Sequence, residues 1–185
     1  KIILFPGRLT SWKGHEMFIE SLNIFKQKNP EKLFFVIILG SDQGRKIYKK
    51  KIQRLVEQYR LIQDVLFIDN CKEMPLAYKI ANIVTNCSIE PEAFGRVAVE
   101  AQAMEKVIIA SDIGGSKETI IDNKTGFLFK AGDANALSEK LAHIFELDET
   151  TLKSMGIEGR KNVIKKFNVE KMCFSTYSEY IKLIS

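Results

Sequence analysis

Two glutamates in the segment 90–101 are the residues of this chain whose placement says most about chemistry. Glu92 is predicted to lie on a turn, and Glu100 within the helix that follows it. Gly95 and its neighbours are predicted to begin that helix, where unpaired backbone N–H groups and the positive end of the helix dipole favour an anion. Carboxylates accept hydrogen bonds from hydroxyl groups. The segment therefore suits a ligand that is part polyol and part phosphate, such as a sugar nucleotide.

A second candidate site follows the first predicted strand. Gly7 and Gly14 permit a tight backbone path, and the cations Arg8 and Lys13 stand between them. Arginine binds two phosphate oxygens through its planar fork, whereas lysine supplies a compact charge. The turn is not a P-loop, because Trp12 stands where that motif needs glycine, and it lacks the spacing of the dinucleotide-binding motif. It predicts a phosphate-binding turn of another kind.

Each of these interpretations has a simpler alternative. Most glutamates are surface acids, and loop cations are usually solvated, so neither pair alone identifies a site. The turn 111–118 contains Gly114 and Gly115, which allow close approach to a ligand or to a neighbouring loop. Its simpler alternative is a plain turn in which Ser116 caps a helix.

The two histidines are not predicted to catalyse a reaction. His15 lies beside the first turn, where a surface or capping role is expected, and His143 lies in a helical stripe, where a structural role is expected. No Ser-His-Asp or Cys-His pairing and no cluster with metal-ligand spacing is apparent. We therefore expect no metal and no cofactor.

Short apolar runs alternating with helical patterns predict the elements that position these turns. The predicted strands span 2–5, 33–39, 65–68, 83–85, 107–110 and 127–129. Their continuous apolarity is typical of a parallel sheet covered on both faces. The expected fold is α/β: a doubly wound, mainly parallel sheet of about six strands with helices on both faces, then a helical segment from Asp133 onward. In such sheets ligands bind at the carboxyl ends of the strands, where the candidate turns lie.

Length and composition limit the class of protein. The 185 residues fit one domain, 1–185, and the absence of an initiator Met before the first apolar run suggests a fragment of a longer protein. The net charge of +5 is dispersed, so it favours anionic partners without choosing among nucleotides, nucleic acid and acidic membranes. Three scattered cysteines predict a reducing, cytoplasmic compartment, and no apolar run is long enough to span a bilayer.

Taken in order, the turns resemble those of the C-terminal domain of retaining glycosyltransferases of the glycosyl transferases group 1 family, which has the Rossmann-like GT-B fold. The matching residues are Gly7-Arg8 with Lys13-Gly14, Glu92-x-Phe94-Gly95 with Glu100-Ala101, Gly114-Gly115-x-x-Glu118 and Thr125-Gly126-Phe127-Leu128. The final helix, 167–184, resembles the closing helix of that family. The resemblance covers nearly the whole chain, and the combination is specific although each piece alone is weak.

The resemblance implies a role for each matched position. Arg8 and Lys13 would neutralise the donor diphosphate, and Glu92 would hold hydroxyls of the transferred sugar; these are the expected catalytic residues. Glu100 would hold the ribose. The remaining donor-binding residues are Gly7, Phe94, Gly95, Arg96 and Val97 around the sugar and phosphates, and Gly40, Asn70 and Cys71 near the base.

Three departures from the family pattern involve four positions. Ala93 replaces a glycine, and Asp69 lies where a glycine often ends the third strand. Glu105 and Val107 stand where the family commonly has glycine and proline. Glutamate at a helix C-terminus lacks the conformational freedom of glycine, and its charge opposes the helix dipole. These departures affect loop geometry more than the expected fold or reaction class.

The expected function is the donor-binding half of a retaining enzyme that moves a sugar from a nucleotide-diphosphate sugar to an acceptor, by analogy in cell-surface glycan or lipopolysaccharide synthesis. The expected partners are that donor, an N-terminal acceptor domain outside this chain, and a cytoplasmic membrane face reached through a lipid acceptor, with no nucleic acid. Alone, the chain is expected to bind nucleotide weakly and to transfer nothing. The alternatives are a non-catalytic nucleotide or sugar-phosphate binding module, a GT-B sugar-nucleotide epimerase and, on net charge alone, a nucleic-acid binder.

Overall fold

One six-stranded parallel sheet forms the centre of the computed structural model, which describes residues 1–184. The strands are β1 (Ile2–Pro6), β2 (Phe35–Leu39), β3 (Val65–Ile68), β4 (Ile83–Asn86), β5 (Val107–Ser111) and β6 (Phe127–Phe129), in the order β3-β2-β1-β4-β5-β6. All six predicted strands are confirmed. The second begins two residues later than predicted, because Leu33 is 84% exposed and lies outside the sheet.

Eight helices connect the strands or follow them within residues 1–184. They are α1 (His15–Lys28), α2 (Lys46–Gln58), α3 (Met74–Ile80), α4 (Arg96–Ala103), α5 (Ser116–Thr119), α6 (Ala134–Glu146), α7 (Glu149–Lys166) and α8 (Val169–Ile184). A 3₁₀ turn, Ser11–Lys13, precedes α1. None of these helices has the combination of length and apolar content that crossing a membrane requires.

The sheet is apolar on both faces because successive side chains of each strand point to opposite sides. In β1, Ile3 and Phe5 belong to one buried cluster, which includes residues of α1, α2 and α6. Leu4, between them, belongs to a second cluster that includes residues of α3 and α4. This arrangement explains why the strands read as continuous apolar runs, and it confirms the predicted doubly wound α/β fold.

The strand order places a topological switch point between β1 and β4. The chain builds outward from β1 through β2 to β3, then returns to place β4 on the other side of β1. The connections after β1 and β4 therefore leave the sheet toward opposite faces and open a crevice at its carboxyl edge. The turns after these two strands are the ones that carry Lys13 and Glu92.

Glu105, two residues after the end of α4, has a backbone conformation that favours glycine. Its φ is 56°, and the carbonyl oxygen of Glu105 lies 2.1 Å from where a Cβ on Gly156 would stand. Gly156 therefore lets α7 pack directly against the end of α4. The departure from the family pattern at position 105 thus coincides with a left-handed residue that carries a side chain.

Replacing Glu105 with glycine should stabilise the chain, because glycine adopts positive φ without a Cβ clash. We expect a gain of about 1 kcal/mol in the free energy of unfolding, or roughly 2–4 °C in Tm. Urea unfolding of Glu105→Gly measures it. Glu105→Ala is the matched control: it also removes the exposed carboxylate, 3.8 Å from Arg160, but keeps the Cβ. An equal gain in the alanine variant would assign the effect to the carboxylate.

Candidate active site

A cleft of about 810 Å³ lies at the carboxyl edge of the sheet, over the switch point. Every residue predicted from the sequence to bind the donor lines it: Gly7, Arg8, Lys13, Gly40, Asn70, Cys71, Glu92, Phe94, Gly95, Arg96, Val97 and Glu100. The lining also includes residues for which no role was predicted, among them Ser41, Gln43, Met74 and Tyr78. The fold thus brings residues from four separate turns to one cavity.

Lys13 and Glu92 form an ion pair within the cleft. The Lys13 Nζ lies 2.7 Å from the Glu92 Oε1, and the side chains are 9% and 15% exposed. The hydroxyl of Ser88 donates to the same carboxylate oxygen. Burial alone would raise the pKa of Glu92, but the hydrogen bonds from Lys13 and Ser88 outweigh it and hold that pKa below its ordinary value. Glu92 is therefore a carboxylate at neutral pH.

The turn after β1 reaches this pair because it is pressed against the turn after β4. Gly14, which follows Lys13, has φ of 76°, and a Cβ there would lie 2.0 Å from the carbonyl oxygen of Cys87. The Ile89 N–H donates to the carbonyl oxygen of Trp12 across the same contact, at 2.8 Å. Glycine at position 14 is therefore a steric requirement for bringing the two charges together.

The start of α4 offers backbone donors to the cleft. Gly95 precedes α4 with φ of 75°, and no side chain caps the first turn of the helix. Both Arg96 and Val97, at the start of α4, line the cleft. The predicted helix start is confirmed. Uncapped N–H groups and the helix dipole favour an anion at this point.

The paired glycines of the turn after β5 pack closely against a neighbouring loop. Close approach to a loop was one of the two uses predicted for them, the other being close approach to a ligand. A Cβ on Gly114 would lie 2.5 Å from the carbonyl oxygen of Glu92, and the Gly115 N–H donates to that oxygen at 2.8 Å. This contact supports the Glu92 turn from behind. The alternative that Ser116 caps the helix is wrong, because Gly115 occupies that position and Ser116 is the first, buried residue of α5.

Glu100 projects from the middle of α4 toward a tyrosine on α3. The Tyr78 hydroxyl donates a hydrogen bond of 2.7 Å to the Glu100 Oε2. Tyr78 is 2% exposed, and burial, followed by the hydrogen bond to Glu100, raises the pKa of its hydroxyl. The sequence did not reveal Tyr78, because an apolar helix position occupied by tyrosine looks like a core residue.

The end of the cleft formed by β2 and β3 is also built by backbone contact. A Cβ on Gly40 would lie 1.9 Å from the carbonyl oxygen of Gly7, and the Gly40 N–H donates to the carbonyl oxygen of Ile68 at 2.9 Å. Asn70 is exposed and Cys71 half-buried beyond β3. Both residues lie at the rim of the cleft.

Arg8 differs from Lys13 in having its charge available. Arg8 is exposed, and its guanidinium makes no ion pair or side-chain hydrogen bond with any residue from 1 to 184. The charge of Lys13, by contrast, is neutralised by Glu92, and the Lys13 Nζ lies 4.5 Å from the centroid of the Trp12 ring. Among residues 1–184 the cleft lining therefore holds one paired cation, Lys13, and two without an ion pair, Arg8 and Arg96.

His15 is a core residue, so the expected surface or capping role is wrong. Its ring is fully buried against Phe5, at 4.4 Å between centroids, and its Nδ1 lies 3.3 Å from the carbonyl oxygen of Thr10. Burial lowers its pKa to about 4. A neutral imidazole in this position supports the underside of the first turn and does not reach the cleft lining.

A smaller cleft of about 510 Å³ shares Trp12 with the larger one. It is lined by residues of the first turn and the start of α2, among them Arg45, Lys46 and Lys51. It contains none of the predicted donor-binding residues and no carboxylate. The larger cleft, with its ion pair and helix start, is therefore the candidate active site.

Removing the Glu92 charge should destabilise the chain, because Lys13 is then buried without a counter-charge. We expect Glu92→Gln to lower the free energy of unfolding at pH 7 by about 2 kcal/mol. The folded-state pKa of Glu92 lies below the ordinary value of 4.5. The stabilisation that the ionised Glu92 gives the parent protein is therefore fully present above pH 4.5 and is lost as the pH falls through the folded-state pKa.

Urea titrations of both proteins between pH 3.5 and pH 7 measure the difference, which should narrow below about pH 4.5. Glu90→Gln, at an exposed acid two residues earlier, is the matched control and should change stability by less than about 0.5 kcal/mol. A difference between the Glu92 variant and the parent that is independent of pH would contradict the assignment.

The chain is similar to glycosyltransferases of known sequence and known structure. The D-inositol 3-phosphate glycosyltransferase of Corynebacterium glutamicum is 29% identical over 155 residues, which is 83% of this chain and 37% of the relative. A solved glycosyltransferase from Rickettsia africae has a TM-score of 0.92 at 33% identity and covers 100% of this chain, which spans 48% of that structure. Anabaena HepE, solved in complex with UDP and glucose, shares the fold with a TM-score of 0.87 at 22% identity, over 97% of this chain and 48% of its own.

The chain thus spans 48% of each of these two solved structures and 37% of the length of the corynebacterial relative. The sequence profile of the family described as Glycosyl transferases group 1 matches residues 1–162. That match contains the whole cleft, from Gly7 to Glu100. The chain belongs to the glycosyl transferases group 1 family.

Proposed function

We propose that this chain is the donor-binding half of a retaining glycosyltransferase that uses a nucleotide-diphosphate sugar. The observation that carries the proposal is the meeting of Arg8, the Lys13–Glu92 ion pair and Glu100 in one cleft at the start of α4. The length of the related proteins supports a second half that would bind the acceptor. HepE binds UDP and glucose, which makes UDP the first nucleotide to test.

The proposed chemistry depends on the charge that develops on the leaving group. Breaking the bond between the sugar and the diphosphate leaves negative charge on the phosphate oxygens, and cations already in place stabilise it. Arg8 and Lys13, together with the N–H groups at the start of α4, are the donors positioned for that task. We propose that these side chains, rather than a metal ion, meet the diphosphate.

Glu92 has a binding role in this proposal. Its Oε1 accepts from Lys13, so the second oxygen is the one that would accept hydrogen bonds from hydroxyls of the transferred sugar. The lowered pKa of Glu92 keeps it ionised, which suits acceptance of hydrogen bonds and does not suit donation of a proton. Glu92 is therefore unsuited to be the general acid of a glycoside hydrolase.

The proposal extends to the exposed helix α8 and to the partners of the whole protein. Within the described residues, α8 has no buried side chain, and Phe174 and Tyr177 are 71% and 63% exposed. We propose that the acceptor half covers these apolar side chains in the whole protein. The whole enzyme would work in the cytoplasm and meet a membrane face through a lipid acceptor of glycan synthesis.

Removing either cation should weaken nucleotide binding. Calorimetric titration of UDP, GDP, ADP and their sugar derivatives identifies the nucleotide that binds. We expect Arg8→Ala and Lys13→Ala each to reduce the affinity for that nucleotide by about tenfold or more, because a charge-assisted hydrogen bond contributes roughly 1.5–3 kcal/mol. Lys13→Ala should have the larger effect, because it also leaves the Glu92 carboxylate unpaired beside the diphosphate. The affinity should be unchanged by EDTA.

Lys50→Ala is the matched control, because Lys50 is exposed on α2 outside the cleft. It should alter affinity by less than twofold. Unchanged nucleotide affinity in both cleft variants, with binding intact in the parent, would count against the assignment of this cleft.

Transfer should require the whole protein and should preserve the anomeric configuration of the donor. We expect the 185-residue chain to form no glycoside from the donor identified by titration, whereas the longer protein that contains it forms one. Proton NMR of the first product reports the anomer. An inverted product would refute the retaining mechanism, and transfer by the isolated chain would refute its assignment as half of the enzyme.

A further inference from the structure

Tyr78 lies behind Glu100 and joins two helices at the side of the cleft. Its ring belongs to the buried cluster between the sheet and α3–α4, while its hydroxyl is 2.7 Å from the Glu100 Oε2. Both residues line the cleft. No other side-chain hydrogen bond to the Glu100 carboxylate is present within residues 1–184. The orientation of that carboxylate therefore depends on Tyr78.

A half-exposed glutamate on its own samples several rotamers, and ordering it for a ligand costs free energy. The hydrogen bond from Tyr78 removes part of that cost before the ligand arrives, because the tyrosine ring is itself fixed in the core. It occupies one lone-pair direction of the Oε2 and leaves the Oε1 to accept from a ligand. A pair of adjacent hydroxyl groups is the ligand chemistry that suits such a carboxylate.

We propose that Tyr78 is a positioning residue that orients Glu100 for the vicinal hydroxyls of a ribose, and that the pair thereby makes the cleft select ribonucleotides over deoxyribonucleotides. The inference rests on the proposed function, since it takes the ligand of Glu100 to be the donor nucleotide. It goes further by assigning a selective role to Tyr78, which acts through the orientation of Glu100.

The protonation of Tyr78 is consistent with this role. Burial, followed by the hydrogen bond to Glu100, raises the pKa of the Tyr78 hydroxyl above its ordinary value, so the hydroxyl keeps its proton at neutral pH. The Tyr78 hydroxyl is then the donor of the hydrogen bond to the Glu100 Oε2. Phenylalanine at this position would fill the same space in the core and would lose only that donated bond.

The test compares Tyr78→Phe with the parent chain by calorimetry. The ligands are the nucleoside diphosphate that binds best among UDP, GDP and ADP, and its 2′,3′-dideoxy form. The parent should prefer the ribose form by about tenfold or more. Tyr78→Phe should lose about fivefold in affinity for the ribose form, and less than twofold for the dideoxy form, because the cost of ordering the freed Glu100 side chain then falls on the binding step.

Two further variants separate positioning from stability. In a Glu100→Ala background, Tyr78→Phe should have no further effect on either ligand, because the group through which Tyr78 acts is gone. Tyr177→Phe, on the exposed face of α8, is the matched control and should leave both affinities unchanged. If Tyr78→Phe folds less completely, both affinities fall by the same factor, so their ratio still reports the role of the hydroxyl.

The inference is overturned if the ratio of ribose to dideoxy affinity is the same in Tyr78→Phe as in the parent. It is also overturned if the two substitutions have additive effects in the double variant. If the parent chain binds none of the three nucleotides, the proposed function fails instead, which distinguishes the two failures.

Discussion

The ion pair between Lys13 and Glu92 is the interaction around which the cleft is organised. It joins two turns that are 79 residues apart in sequence and places a nearly buried cation beside a nearly buried carboxylate. Such a pair is stable only when both charges are desolvated together and further hydrogen bonds reach the carboxylate. Ser88 provides one, and the glycine contacts behind each turn hold the two backbones at the required separation.

Most of the fold could be predicted from the sequence. Parallel strands buried on both faces leave uninterrupted apolar runs, and six such runs match the six strands with small differences at their ends. The residues of the cleft could be predicted as a set because each lies in a turn after a strand or in the helix that begins there, and the carboxyl ends of parallel strands share one edge of the sheet. The glycines and charged residues in those turns then indicated the candidate ligand-binding positions. Their roles in binding remain predictions.

What could not be predicted depends on distant contacts. Tyr78 lies on an apolar helix face, and only the packing of α3 against the start of α4 shows that its hydroxyl reaches Glu100. His15 looked like a loop residue because it follows the first turn, yet the ring packs on Phe5 beneath that turn. In both cases one part of the side chain packs in the core while another part contacts a polar group. The spacing of residues along the sequence does not indicate such a contact.

The glycine contacts have a consequence for how this site diversifies. At Gly14, Gly40 and Gly114 the turns meet backbone to backbone, so the shape of the cleft floor is independent of the side chains that project from its rim. Rim positions such as Gln43 and Asn70 are exposed. Substitutions there would change the rim without disturbing the floor. On the proposed function, one scaffold would thereby acquire new donor preferences through single mutational steps, each of which leaves a folded protein for selection to act on.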